Sequence, residues 1–214
     1  MTRREFPIAL AVLCSTRLPA HQSDFWVSKD PSQWTAQEID RLVTNSPWAR
    51  EIKVGADGMS NGGRRGLRLP RLGGSRYLPG NGSKVDSSPV PRFDAVVRWE
   101  SAAPILEALK TPLPGALDDH YVIGLCGIPP LAGSIDDVTS ITAVEVQGRP
   151  AVQAGTGLIA PGTNTQTLLF GFSKDQLALS RDDNEIVFRT QIGRAPVTAR
   201  FYPKDMIYRG ELAV

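Results

Sequence analysis

The chain has 214 residues, 41% hydrophobic and 21% charged, with 20 Gly, 17 Pro, two Cys, two His and a formal net charge of +2. That is enough chain to bury one core of ordinary size, and no run approaches the roughly 18 apolar residues of a membrane-crossing helix. Two Cys exclude a disulfide scaffold, and together with two His they leave little for a structural zinc site.

Residues 1–20 read as an export signal. Thr2-Arg3-Arg4-Glu5-Phe6 resembles the twin-arginine pattern, an apolar run follows from Ile8 to Cys14, and Arg17 precedes the small-residue site Leu18-Pro19-Ala20. These pieces stand in the order of a cleavable leader, which predicts a periplasmic or secreted chain beginning at His21. The competing reading is an ordinary N-terminal helix or strand. Leu13 stands before Cys14 where a lipoprotein signal wants a small residue, which argues against lipidation. Without the leader, Cys126 is the only thiol, and its apolar surroundings from Tyr121 to Ile128 suit a buried small hydrophobe better than a nucleophile.

Residues 21–57 form an N-terminal element expected to pack on the body of the domain. Thr35-Ala36-Gln37-Glu38 is a capping box, with Trp34 and Ile39 at the two staple positions. Ile39, Leu42 and Val43 make a narrow apolar stripe, and Asn45-Ser46-Pro47 stops the helix. A strand is expected at Glu51 to Val54. Trp26, Trp34 and Trp48 fall close together here. Anchoring of this segment onto the body accounts for them better than a sugar-stacking platform does.

Residues 58–92 carry seven basic side chains against Asp86 alone, a net +6, with eight Gly and four Pro and no periodic pattern. Such a composition buries too little apolar surface to offset its ordering entropy, so a flexible segment is expected. The +2 of the leader and the +6 of this segment leave the remaining residues strongly acidic. Arg64, Arg65, Arg68, Arg71 and Arg76 are candidates for contact with an anion, the plainer reading being a solvated basic linker. They lack interleaved aromatics apart from Tyr77, which argues against nucleic acid.

Residues 93–214 form a β-rich body. Asp94 to Trp99 alternates as a strand, and a short helix is expected from Ser101 to Lys110 with Ser101 as cap and Pro104 in the first turn. Tyr121 to Gly127 is almost continuously apolar, the mark of a central strand. Residues 134–146 suit either a helix starting at Ser134 or a strand through Ile141, Val144 and Val146. Strands follow at Leu168 to Phe172, Glu185 to Thr190, Val197 to Tyr202 and Ile207 to Val214, with turns at Gly193-Arg194 and Pro203-Lys204-Asp205. This pattern predicts a mainly β (α+β) fold, an antiparallel β-sandwich-like domain.

"WTAQEIDRLVTNSPWAR", the Gly/Arg-rich insert, "VRWESA" and the ending "IVFRTQIGRAPVTARFYPKDMIYRGELAV" resemble a group of uncharacterised secreted bacterial proteins. The resemblance spans most of the chain after the leader. It implies export and a shared layout, and it brings no catalytic residues with it.

Motifs that could carry chemistry fail on context. Gly155-Thr156-Gly157-Leu158-Ile159-Ala160 matches a dinucleotide fingerprint, but Pro161-Gly162 follows at once and no helix can open there. Gly80-Asn81-Gly82-Ser83-Lys84 lacks phosphate-loop spacing. Asp118-Asp119, Asp136-Asp137 and Asp182-Asp183 could bind calcium or serve a glycosidase, yet each precedes an expected element, where caps and turns favour Asp. His120 has no G-x-S-x-G nucleophile elbow to serve and reads as a strand-entry residue. No cofactor, metal ligand or catalytic residue is assigned. The sequence points to a non-catalytic exported β-rich module with a binding or structural role in the cell envelope. The alternatives are an exported hydrolase using Asp or Glu, and a polyanion binder acting through the basic segment.

Overall fold

The computed structural model describes residues 24–55, 92–162 and 164–214. The leader of residues 1–20 and the basic segment with Arg64, Arg65, Arg68, Arg71 and Arg76 lie outside the described residues.

The described chain opens with a one-turn helix α1 (Phe25–Ser28), a 3-10 turn at Pro31–Gln33 and helix α2 (Ala36–Thr44). The capping box forms as the sequence predicts. Thr35 Oγ1 accepts from the Glu38 amide at 3.2 Å, and Glu38 Oε2 accepts from the Thr35 amide at 2.9 Å. Leu42, on the apolar stripe, is fully buried.

The body is an antiparallel sandwich of two sheets. One has five strands in the order β1 (Ala49–Val54), β2 (Phe93–Trp99), β3 (His120–Ile128), β7 (Gln166–Ser173) and β6 (Thr156–Pro161). The other has β5 (Val152–Gln153), β4 (Ala143–Val146), β8 (Ile186–Ile192) and β9 (Ala195–Phe201). Strand alternation builds the core between them: Val97 and Trp99 of β2, Ile123 and Leu125 of β3 and Phe170 and Phe172 of β7 face Phe188 of β8 and Val197 and Phe201 of β9. Edge-on ring contacts such as Trp99–Phe201 at 5.9 Å and Phe172–Phe188 at 6.5 Å lock the layers, each worth about 0.5–1.5 kcal/mol beyond burial. Strand β3, apolar along its length, takes the middle position because both of its faces are covered.

Helix α3 (Ala103–Leu109) follows β2, and α4 (Ile135–Ser140) packs against β6 and β8. A minimal hairpin of β10 (Ile207–Tyr208) and β11 (Glu211–Leu212) ends the chain. Its turn, Arg209-Gly210, has positive φ at both positions (50° and 87°), the twist a tight hairpin requires. The segment from Phe25 to Val54 shares the sheet and core of the body. Strand β1 pairs along its whole length with β2, Trp26 and Trp34 are buried, and Trp48 Nε1 donates to the Ala213 carbonyl at 2.7 Å.

The structure settles one open reading, overturns two expectations and adds two strands. Residues 134–146 contain both of the elements between which the sequence was ambiguous: Ser134 caps α4, and β4 starts after Thr142. Ser101 does not cap α3, whose N-cap is Ala102; its hydroxyl instead accepts from the Val122 amide of β3 at 3.0 Å. Ile207 to Val214 is a hairpin rather than one strand, because Arg209-Gly210 reverses it. Strands β5 and β6, in a Gly- and Pro-rich stretch, were not expected at all.

Candidate functional site

The residues singled out in the sequence do not converge. Asp136 and Asp137 occupy the first turn of α4, where carboxylates suit the helix N-terminus. Asp183 accepts from the Ser180 amide at 2.8 Å and pairs with Arg149. Asp118 follows the 3-10 turn at Gly115–Leu117, and Asp119 precedes β3. No group of three or more His, Cys, Asp or Glu among the described residues is placed to hold a metal ion. His120 is the first residue of β3, its ring against Gly171, where an added Cβ would come within 3.2 Å of the imidazole. The Gly155–Ala160 fingerprint runs into strand β6 and opens no helix, so it lacks the dipole a pyrophosphate needs.

A polar cluster that the sequence reading did not single out sits on the outer face of the five-stranded sheet. Arg98 and Glu100, two apart from the end of β2, fall on one side. Glu100 is 5% exposed, and its Oε1 accepts from Arg98 Nε at 3.0 Å and Nη2 at 2.8 Å and from Cys126 Sγ at 3.3 Å. Arg98 Nη1 also donates to the Val43 carbonyl at the end of α2, 3.3 Å away. Gly124, between them on β3, leaves the space that the carboxylate fills; a Cβ there would lie 2.4 Å from Glu100 Oε1. Burial, reinforced by the Glu100 charge, pushes the Cys126 thiol up to about 12. The cysteine is therefore a protonated donor at neutral pH, the opposite of an activated nucleophile. The cluster ties α2, β2 and β3 together with every charge paired internally.

Among the described residues, shallow grooves of about 390 Å³ indent the surface at two places relevant to the acids. The first lies beneath the end of α3, between Leu106, Lys110, Leu113 and Asp118. The second crosses the outer face of the four-stranded sheet, where Glu185 meets Arg200 at 2.6 Å and Glu145 meets Arg189 at 3.4 Å. Both acids of this groove face arginines, so the paired carboxylates that an acid-base hydrolase requires do not stand opposite one another there.

The sheet edges differ in kind. Strand β1 carries Arg50, Glu51 and Lys53, and it lies beside β9, with Arg50 Nε donating to the Arg200 carbonyl at 3.3 Å. Strand β9 bears Pro196 and Arg200, and β5 has only two residues. Strand β6 is uncharged, has β7 as its one paired strand among the described residues, and leaves Ile159 43% exposed. Such an edge is a template for a further strand. Comparison with protein-family models, curated proteins and solved structures returned no match.

Proposed function

We propose that the chain is an exported, non-catalytic β-sandwich module whose β6 edge binds an extended segment of a partner in the cell envelope. The observation that carries the reading is that edge: Thr156–Pro161, the outermost strand of the five-stranded sheet, has no charged residue and exposes Ile159. Exposed edges are ordinarily blunted by charges, prolines, bulges or cover; among the described residues β6 has a proline only at its last position and α4 only against the face at Gly157, which leaves the Gly157–Ile159 stretch of the edge as a surface on which strand addition works. The internal pairing of Arg98 with Glu100 and of Arg189 with Glu145 supports the non-catalytic part of the reading, since these charges serve the fold. Export rests on the leader: Thr2-Arg3-Arg4-Glu5-Phe6, the apolar run and Ala20.

One experiment addresses both parts. Cells producing the full chain are fractionated, and the exported species is identified by mass; it should begin at His21, and replacing Arg3 and Arg4 by Lys should hold it in the cytoplasm. Amide exchange on the purified exported species should be fast at Gly157 and Ile159 and should slow when envelope extract is added. An intact N-terminus in the cytoplasm refutes export, and unchanged exchange at those amides refutes binding along the edge.

A further inference from the structure

We infer that the partner of the β6 edge is the β6 edge of a second copy, the two joined antiparallel about a two-fold axis at Leu158. This rests on the edge-binding reading above and names the occupant.

The register of the β6–β7 hairpin dictates which backbone groups face outward. The Gly162 amide donates to the Thr165 carbonyl at 2.9 Å, and the Cα pairing continues Ala160 with Thr167 and Leu158 with Leu169. Hydrogen-bonded pairs alternate along an antiparallel ladder, so Leu158 and Ala160 turn their backbone groups toward β7. Gly157 and Ile159 turn theirs away from it. These two residues flank Leu158 symmetrically. A two-fold axis there sets Gly157 of each copy opposite Ile159 of the other, as hydrogen-bonded pairs exchanging both of their bonds.

The side chains fit the same operator. Gly157 has no side chain because α4 lies against it, an added Cβ coming 1.9 Å from Thr139 Oγ1 and 3.1 Å from Ile135. The bulky Ile159 thus meets a glycine across the axis and turns its exposed surface toward Ile135 of the other copy. The paired strands set no like charges opposite one another, because Thr156–Pro161 contains none. The other long edges lack this fit: β1 carries Glu51 and Lys53 and is flanked by β9, and β9 carries Arg200. Pro161 has no N–H to offer and ends the pairing, while the Gly155 amide is committed to the Gly171 carbonyl. The contact is therefore short, below the roughly 1,600 Å² of a standard interface, and association should show only at high protein concentration.

Sedimentation equilibrium on the full chain lacking its leader, at about 10 µM and about 1 mM, tests this against mass action. The mean mass should rise toward twice that of the monomer at the higher concentration. Ile159→Lys should hold it at the monomer value with an unchanged thermal melt, whereas Val27→Lys, at a residue 71% exposed outside β6, should leave association intact. Leu158→Cys should give an air-oxidised dimer, since residues facing each other across the axis in a non-hydrogen-bonded pair have Cα atoms about 4.5 Å apart. A chain that stays monomeric and does not cross-link overturns self-pairing, and so does association that survives Ile159→Lys. A synthetic Thr-Gly-Leu-Ile-Ala-Pro peptide separates the two levels. If a monomeric chain binds it, with shifts at the Gly157 and Ile159 amides, edge binding stands and only the second copy is lost; if nothing binds, both readings fall.

Discussion

Gly124→Ala tests whether the Arg98–Glu100–Cys126 cluster, with Glu100 buried at its centre, holds the outer face of the sheet. The added methyl would lie 2.4 Å from Glu100 Oε1 and 2.9 Å from Cγ, distances no folded structure tolerates, so the carboxylate must swing away. Among the described residues, everything that the Glu100 carboxylate accepts arrives at that one oxygen: Arg98 Nε at 3.0 Å, Arg98 Nη2 at 2.8 Å and Cys126 Sγ at 3.3 Å. Hydrogen bonds to a charged group are worth about 1.5–3 kcal/mol each, and alanine in a strand recovers about 0.5–1 kcal/mol relative to glycine. A displaced carboxylate that keeps one of the three bonds gives a net loss of about 2–5 kcal/mol, which lowers the melting temperature by roughly 5–20 °C for a domain of this size. Urea denaturation gives the change in stability, and a double-mutant cycle identifies its cause. In an Arg98→Met, Glu100→Ala background neither charge remains buried, and Gly124→Ala should be neutral or slightly stabilising. An equal loss in both backgrounds, or no loss in the native one, would refute the steric argument.

Three further outcomes follow from the same geometry. Thr35→Ala removes the acceptor of the Glu38 amide and should cost about 1 kcal/mol by urea melt, with Thr35→Ser restoring most of it; a cost below about 0.3 kcal/mol would show that α2 is held by packing alone. In a Cys14→Ser background, half-buried Cys126 should react with a disulfide reagent at pH 8 far more slowly in the native state than after unfolding, and equal labelling rates would contradict a thiol held protonated against Glu100. Stability should also fall with pH across a defined window. The unfolded thiol loses its proton near its ordinary 9.0, whereas the folded one keeps it to about 12, so the unfolded state binds fewer protons between those values and is favoured there. Tyr208, raised to about 12 by burial and by its hydrogen bond to Glu107, contributes with the same sign. Cys126→Ser should flatten the slope, leaving the tyrosine component, and an identical slope would remove the thiol from the account.

What the sequence determined by itself was set by local periodicity and local hydrogen bonding. Thr35 and Glu38 cap α2 through bonds that span three residues, and Ser134 caps α4 in the same local way. The alternation of β2, β8 and β9, and the unbroken apolar run of β3, predicted both the strands and the central place of β3, because a side-chain period of two assigns faces before any partner is known. Arg98 and Glu100 could also be placed on one face by that period.

Only the tertiary structure decided what those faces meet. Arg98 and Glu100 become a buried pair because β3 supplies Gly124 as a gap and Cys126 as a donor, from a strand more than twenty residues away. Ser101 carries a hydroxyl of the kind that caps helices, yet it accepts from the Val122 amide of β3, and Ala102 stands at the start of α3. Strand β6 was illegible because Gly155-Thr156-Gly157 and Pro161-Gly162 have the composition of a loop. An edge strand needs a partner on one side only, so it tolerates a proline and two glycines that a central strand would reject. Its pairing energy comes from β7, and the glycine at 157 answers to α4, whose Thr139 occupies the space a side chain would need. Such constraints arise between segments distant in sequence, and neither propensity nor period along one segment carries them.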